Sequence, residues 1–201
     1  MNASLTDRFV EEIRAEFPRF RVVEKRGDAF SRAIDLALKV LTLGGQREYL
    51  THYHTVIANT LYVPYGWADE DDVARVITLR HERVHLRQTR RYGFVGMSLL
   101  YLVPIFPLGL AYGRARIEWE AYTESIRATA ELRGIAAARS ASLRKHIVKQ
   151  FTSAAYGWMW PFPRQVARWY DEALAKIEAE ISPESAGVST MGAMGAKGTA
   201  R

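Results

Sequence analysis

The chain has 201 residues, 48% of them hydrophobic and 25% charged, which suits one domain with a buried core and excludes wholesale disorder. It contains no cysteine. Disulfides, Cys-ligated zinc, iron–sulfur clusters and a thiol nucleophile therefore drop out, and any metal must be held by His and carboxylates. The net charge is +6, but the basic residues are spread along the chain. Arg80, Arg83, Arg87, Arg90 and Arg91 read as the solvated face of one helix, so no nucleic-acid partner is expected. The first residues mix acids and bases without the basic-then-apolar pattern of a secretory signal, which makes the cytoplasm the expected location.

In chain order, Ser4 or Thr6 caps a first helix running to about Glu16, with Phe9, Ile13 and Phe17 recurring four apart on one face. Pro18 closes it. Residues 20–24 alternate as a short strand, and Gly27 and Asp28 introduce a second helix over residues 29–43, ended by Gly44 and Gly45. Residues 48–63 are rich in β-branched and aromatic side chains, and Ala58-Asn59 is placed for a tight turn, so the segment predicts a β-hairpin that stops at Pro64. Such a strand beside an active-site helix can pair with the backbone of a bound peptide. His52 and His54 share one side of its first arm and read as ordinary strand residues near the cleft.

Asp69, Glu70, Asp71 and Asp72 put four acids at the first turn of a long helix over residues 70–92, which contains HERVH and ends at Gly93. Residues 94–112 (FVGMSLLYLVPIFPLGLAY) carry no charge, and Pro104 and Pro107 break them into two short arms. A single crossing of a bilayer by this stretch would put the residues before and after it on opposite sides of roughly 30 Å of hydrocarbon. Folding back as an apolar helical hairpin is the consistent alternative. Arms of about ten residues favour a place in the core, with peripheral membrane contact through Phe94 to Tyr112 as the other option. Further helices are expected over residues 112–132, 141–151 and 163–181. The aromatic stretch Tyr156, Trp158, Trp160 and Phe162 lies between the last two and reads as core packing, and the lone His146 reads as a surface residue. Residues 1–181 form one expected domain, and residues 182–201, small and aperiodic, a disordered tail.

The chemistry concentrates in HERVH. On a helix, His81 and His85 lie four apart on one face and can share one tetrahedral ion. Glu82 is one step round, where it can reach water held by that ion without binding the ion itself and act as general base. Catalytic zinc usually has three protein ligands, and Glu118, Glu120 and Glu124 are the candidates for the third. Glu118 and Glu120 are about 200° apart on a helix, so they cannot both face the ion.

HERVH followed by RIEWEAY resembles the gluzincin metallopeptidases, especially the CaaX-prenyl-protease and HtpX-like branch and small related domains, whose third ligand opens an E-[FYW]-x-A-D pattern. Glu118, Trp119 and Ala121 match that pattern. The resemblance, which covers residues 51–127, implies Glu118 as third ligand, with Glu120 as fallback. Tyr122 stands where the pattern has an Asp that orients a ligand histidine, which implies that the phenol orients a ligand or stabilises an oxyanion. The expected fold is thus mainly α with a small β-hairpin or sheet (α+β): a gluzincin-like active-site helix packed beside the hairpin and followed by the Pro-broken apolar helical hairpin. The expected function is Zn2+-dependent hydrolysis of a peptide or protein substrate, with His81, His85 and Glu118 on the metal and Glu82 and Tyr122 catalytic. The alternative, favoured by Tyr122, is a catalytically degenerate, zinc-stabilised binding domain at a membrane surface.

Overall fold

The computed structural model describes residues 3–25, 55–57, 59–102, 111–153 and 159–189. The expected second helix, His52, His54, Pro104, Pro107, Tyr156 and Trp158 lie outside the described residues, as do residues 190–201.

Helix α1 (Leu5–Glu16) starts on Ser4, whose Oγ accepts the Asp7 N–H while the Asp7 carboxylate accepts the Ser4 N–H. This capping box satisfies two orphan donors at once. Thr6 instead ties the helix to another element. Its hydroxyl donates to the Asp72 carboxylate, which also accepts the Leu5 and Thr6 N–H groups at 2.8 and 3.1 Å. Asp72 opens the long helix α2 (Asp72–Leu102), so one carboxylate serves the positive ends of two helices and pins them together.

The other end of α1 is held by charge. Arg83, Arg87 and Arg90, on one face of α2, converge on Glu16, with nitrogen–oxygen distances of 2.8, 2.8 and 3.1 Å. The hydrogen bond from Arg87 is the main reason the Glu16 carboxyl falls from 4.5 to about 2; partial burial opposes the shift and Arg83 adds to it. A depressed carboxyl contributes stability above its ordinary pKa and loses it as pH falls through the folded value. We therefore expect the wild type to lose about 1–2 kcal/mol more than Glu16→Gln between pH 5 and pH 2 in urea titrations, once solvent screening is allowed for. Parallel losses in the two proteins would remove this role for Glu16.

Three strands follow from the β-branched segments: β1 (Arg21–Glu24), β2 (Thr55–Ile57) and β3 (Thr60–Val63), in the order β1-β3-β2. β1 runs parallel to β3 with Arg21 opposite Thr60, and β2 runs antiparallel with Val56 opposite Leu61. The expectation of a self-contained hairpin over residues 48–63 is corrected. β3 is a central strand, and the parallel partner on its other edge comes from residues 20–24. Alternation along a sequence marks a strand but does not specify which strand it pairs with.

Leu61 and Val63 bury their side chains with Ile13, Phe17, Phe20, Trp67, Leu79 and Leu86, forming a core between α1, the sheet and one face of α2. A second core is built from α3 (Tyr112–Arg133), α5 (Ala141–Thr152) and α6 (Pro163–Ser189), with the one-turn α4 (Ile135–Ala138) between α3 and α5. Its centre holds Ile126, Ile147, Phe151, Val166 and Tyr170, and the Tyr170 hydroxyl donates to the Ala138 carbonyl. The α2–α3 pair separates the two cores. The mainly helical character expected from the sequence is observed, and α6 continues to Ser189, beyond the point where regular structure was expected to stop.

Gly93 interrupts α2 with φ 69° and ψ 169°, a region essentially restricted to glycine, so the helix turns there and resumes toward Leu102. The resumed arm returns to α3. A Cβ on Gly113 would stand 2.7 Å from the Leu100 carbonyl oxygen, so only glycine permits this approach. The arm is not core throughout, because Val95 and Leu99 are exposed. Among the described residues, no helix is long and apolar enough to cross a membrane.

Candidate metal centre

Two helix faces make the site. On α2, Val76, Leu79, Glu82 and Leu86 form one buried row, which places a carboxylate in an apolar line facing the sheet. His81 and His85 lie one step round, with ring centroids 4.9 Å apart. On α3, Glu118, Ala121 and Ser125 form a buried row in which two small side chains accompany the carboxylate and let the helices approach closely.

The three sequence candidates for third ligand separate cleanly. Glu118 is buried, with Oε2 3.8 Å from His81 Nε2 and 3.7 Å from His85 Nε2, while the two Nε2 atoms are 3.2 Å apart. Glu120 accepts the Gln88 side-chain N–H at 2.8 Å, and Glu124 accepts from Arg80 Nε at 2.6 Å. Among the described residues, His81, His85 and Glu118 are the group whose ligand atoms come together for a metal.

The triangle fits zinc in size. From its sides of 3.2, 3.7 and 3.8 Å, a point in its plane equidistant from the three atoms lies about 2.1 Å from each, within the range of Zn–N and Zn–O bonds. It also fits in proton inventory. Ser125 Oγ donates to the Ala121 carbonyl at 3.2 Å, so it receives the proton of His81 Nδ1 at 3.0 Å. Gln88 Nε2 donates to the Ile117 carbonyl and to Glu120, which turns Gln88 Oε1 toward His85 Nδ1 at 2.9 Å. Both rings thus carry their proton on Nδ1, and both Nε2 lone pairs face inward beside a carboxylate. A cation resolves that arrangement.

Glu82 is 6% exposed, and its carboxyl is raised from 4.5 to about 7. Burial is the main cause; His85 opposes the rise, Glu118 reinforces it and Lys25 opposes it. Lys25, following β1, is 0% exposed. It is one of three residues near the site that sequence reading missed, with Gln88 and Ser125. Tyr122 packs edge-on against the His81 ring, with centroids 4.8 Å apart, and against Phe151 at 5.5 Å. Ser125 and Gln88 meet the Nδ1 atoms of the two histidines and orient their rings. Away from the site, His146 meets Gln150 at 3.1 Å, and Trp160 stacks on Trp169 at 5.9 Å against the second core.

Comparison of the chain with models of protein families, with characterised proteins and with solved structures gave no match. The HExxH spacing of His81 and His85, the distal Glu118 that completes a zinc-binding triad, and the buried Glu82 are consistent with a gluzincin-type, metalloendopeptidase-like site.

The role of the orienting bonds can be measured. Gln88→Leu and Ser125→Ala each free one Nδ1–H and let the ring turn, so zinc affinity by chelator competition should fall about 10–100-fold with helix content unchanged. Wild-type affinity in both variants would mean that the rings are held by packing alone.

Proposed function

We propose that this chain hydrolyses peptide bonds in a peptide or protein substrate, with His81, His85 and Glu118 holding one zinc ion. The observation that carries this reading is the inward convergence of two Nε2 lone pairs and the Glu118 carboxylate beside the buried Glu82. Zinc, when bound, supplies a Lewis acid that polarises the scissile carbonyl and acidifies water. Glu82 takes a proton from the attacking water on its carboxylate and passes it to the leaving amide nitrogen. Burial raises this carboxyl in the metal-free protein, and a zinc ion beside it would draw it back toward the ionised form that accepts the proton. Lys25 lies where its charge lowers the Glu82 carboxyl and so favours the ionised form. Tyr122, edge-on to His81, braces that ring.

Metal analysis together with an unbiased peptide-library digest tests the proposal. Purified protein should contain about one zinc per chain, lose cleavage on treatment with a chelator and regain it on adding zinc. Cleavage that survives complete metal removal, or protein that takes up no zinc, would exclude the reading.

A further inference from the structure

Beyond Gly93 the resumed arm of α2 carries apolar side chains into solvent. Val95 is 70% and Leu99 58% exposed, and, four apart, they share one helix face. The Gly113–Leu100 approach sets the start of α3 against this arm and adds Tyr112, which is also exposed. The Tyr112 ring meets Trp160 at 5.8 Å, and Trp160 meets the exposed Phe162 at 5.6 Å. Large apolar and aromatic side chains so exposed and so close together mark an interaction surface.

Its charges indicate the partner. From Tyr92 to Gly113 the sequence has no charged residue, and arginines stand on both sides. Arg91 and Arg116 are exposed and have no carboxylate partner among the described residues; the Arg91 guanidinium lies over the Tyr92 ring at 5.3 Å. A symmetric contact between two copies would bring these arginines toward their counterparts, a like-charge juxtaposition that disfavours self-association. Apolar side chains rimmed by Tyr, Trp and Arg have the composition of a bilayer interface, where the aromatic rings sit at headgroup level and the guanidinium groups meet phosphate.

We propose that this face docks on an anionic lipid bilayer, with Val95, Leu99, Tyr112 and Phe162 entering the boundary between headgroups and acyl chains and Arg91 and Arg116 meeting lipid phosphates. The contact is peripheral for the described helices, none of which is long and apolar enough to cross. It stands independently of the metal centre, since docking requires neither zinc nor substrate.

Flotation of the full chain with phosphatidylcholine vesicles, with and without about one third phosphatidylglycerol, provides the test. The wild type should float with the anionic vesicles, and its bound fraction should fall about tenfold in Val95→Asp/Leu99→Asp. Arg91→Glu/Arg116→Glu should weaken binding to anionic vesicles several-fold, and raised salt should weaken wild-type binding in the same direction. All substituted side chains are exposed, so circular dichroism and melting should match the wild type. Absence of flotation with anionic vesicles would overturn the proposal, as would flotation that the double Asp variant leaves unchanged. A dimer that the same variant dissolves, without lipid binding, would assign the face to a second copy instead. Each result is read without measuring peptide hydrolysis, so it can fail while the peptidase reading stands, and the reverse.

Discussion

Glu82→Gln should leave about one zinc bound per chain while lowering peptide hydrolysis by a factor on the order of 100 to 10,000, the range associated with loss of a general base. The amide keeps the size and position of the side chain and cannot take a proton from water. His81→Ala and Glu118→Gln should behave differently, because each removes or weakens a corner of the triangle, so zinc and activity should fall together. The same Gln substitution makes a second prediction, opposite in sign to the loss of activity. Burial raises the Glu82 carboxyl from 4.5 to about 7, so the folded metal-free protein binds its proton more tightly than the unfolded chain does. The stabilising effect of that proton is full below 4.5, declines as pH rises, and is gone above about 7, where a buried carboxylate remains. Metal-free Glu82→Gln should therefore be about 1–3 kcal/mol more stable than the metal-free wild type at pH 8, and the difference should shrink toward pH 5. A variant that loses activity without that gain in stability would place Glu82 outside the apolar row on α2.

These expectations rest on residues that are legible in the sequence to different depths. HERVH can be read completely, because a spacing of four on a helix fixes which side chains share a face whatever surrounds it. Helical geometry also establishes that Glu118 and Glu120 cannot serve together, but the choice between them depends on how α3 crosses α2. That crossing sends Glu120 to Gln88 and Glu118 to the histidines. Ser125 and Gln88 give no signal for the same reason, since a serine and a glutamine acquire an orienting role only when a tertiary contact supplies the imidazole or fixes the amide. Lys25 is less legible still, as nothing near it in the chain indicates that a cation there will be fully buried close to a carboxylate. In the sheet, alternation marks the strands but leaves the parallel β1–β3 pairing open. Gly93 reads as a helix end, and its backbone angles agree, although the chain resumes as helix immediately after it. Asp72 reads as an acid at one helix N-terminus. Its service to α1 as well comes only from packing.

Phe151→Ala should cost about 3–5 kcal/mol, the largest stability loss expected from a single substitution in the second core. Phe151 is 0% exposed, and its ring lies 5.9 Å from Trp119, 5.5 Å from Tyr122 and 6.4 Å from Trp169. Truncation loses the transfer free energy of the ring and leaves a cavity that three large, stiff neighbours cannot fill by small adjustments. For a chain of this length, that loss corresponds to a fall in Tm of roughly 10 °C. The consequence extends to the metal centre through one intervening residue, because Tyr122 touches Phe151 on one side and His81 on the other. If the phenol braces the His81 ring, the milder Phe151→Leu should raise zinc dissociation several-fold while the protein stays folded. Val166→Ala, in the same core but without a ring against Tyr122, should lower Tm and leave zinc dissociation unchanged. Equal zinc affinity in the two variants at comparable loss of Tm would show that the core supports the site only through global stability. A selective effect of Phe151→Leu would instead make Tyr122 the link through which the helical core sets the orientation of a ligand, in the position where the resemblance implied an Asp.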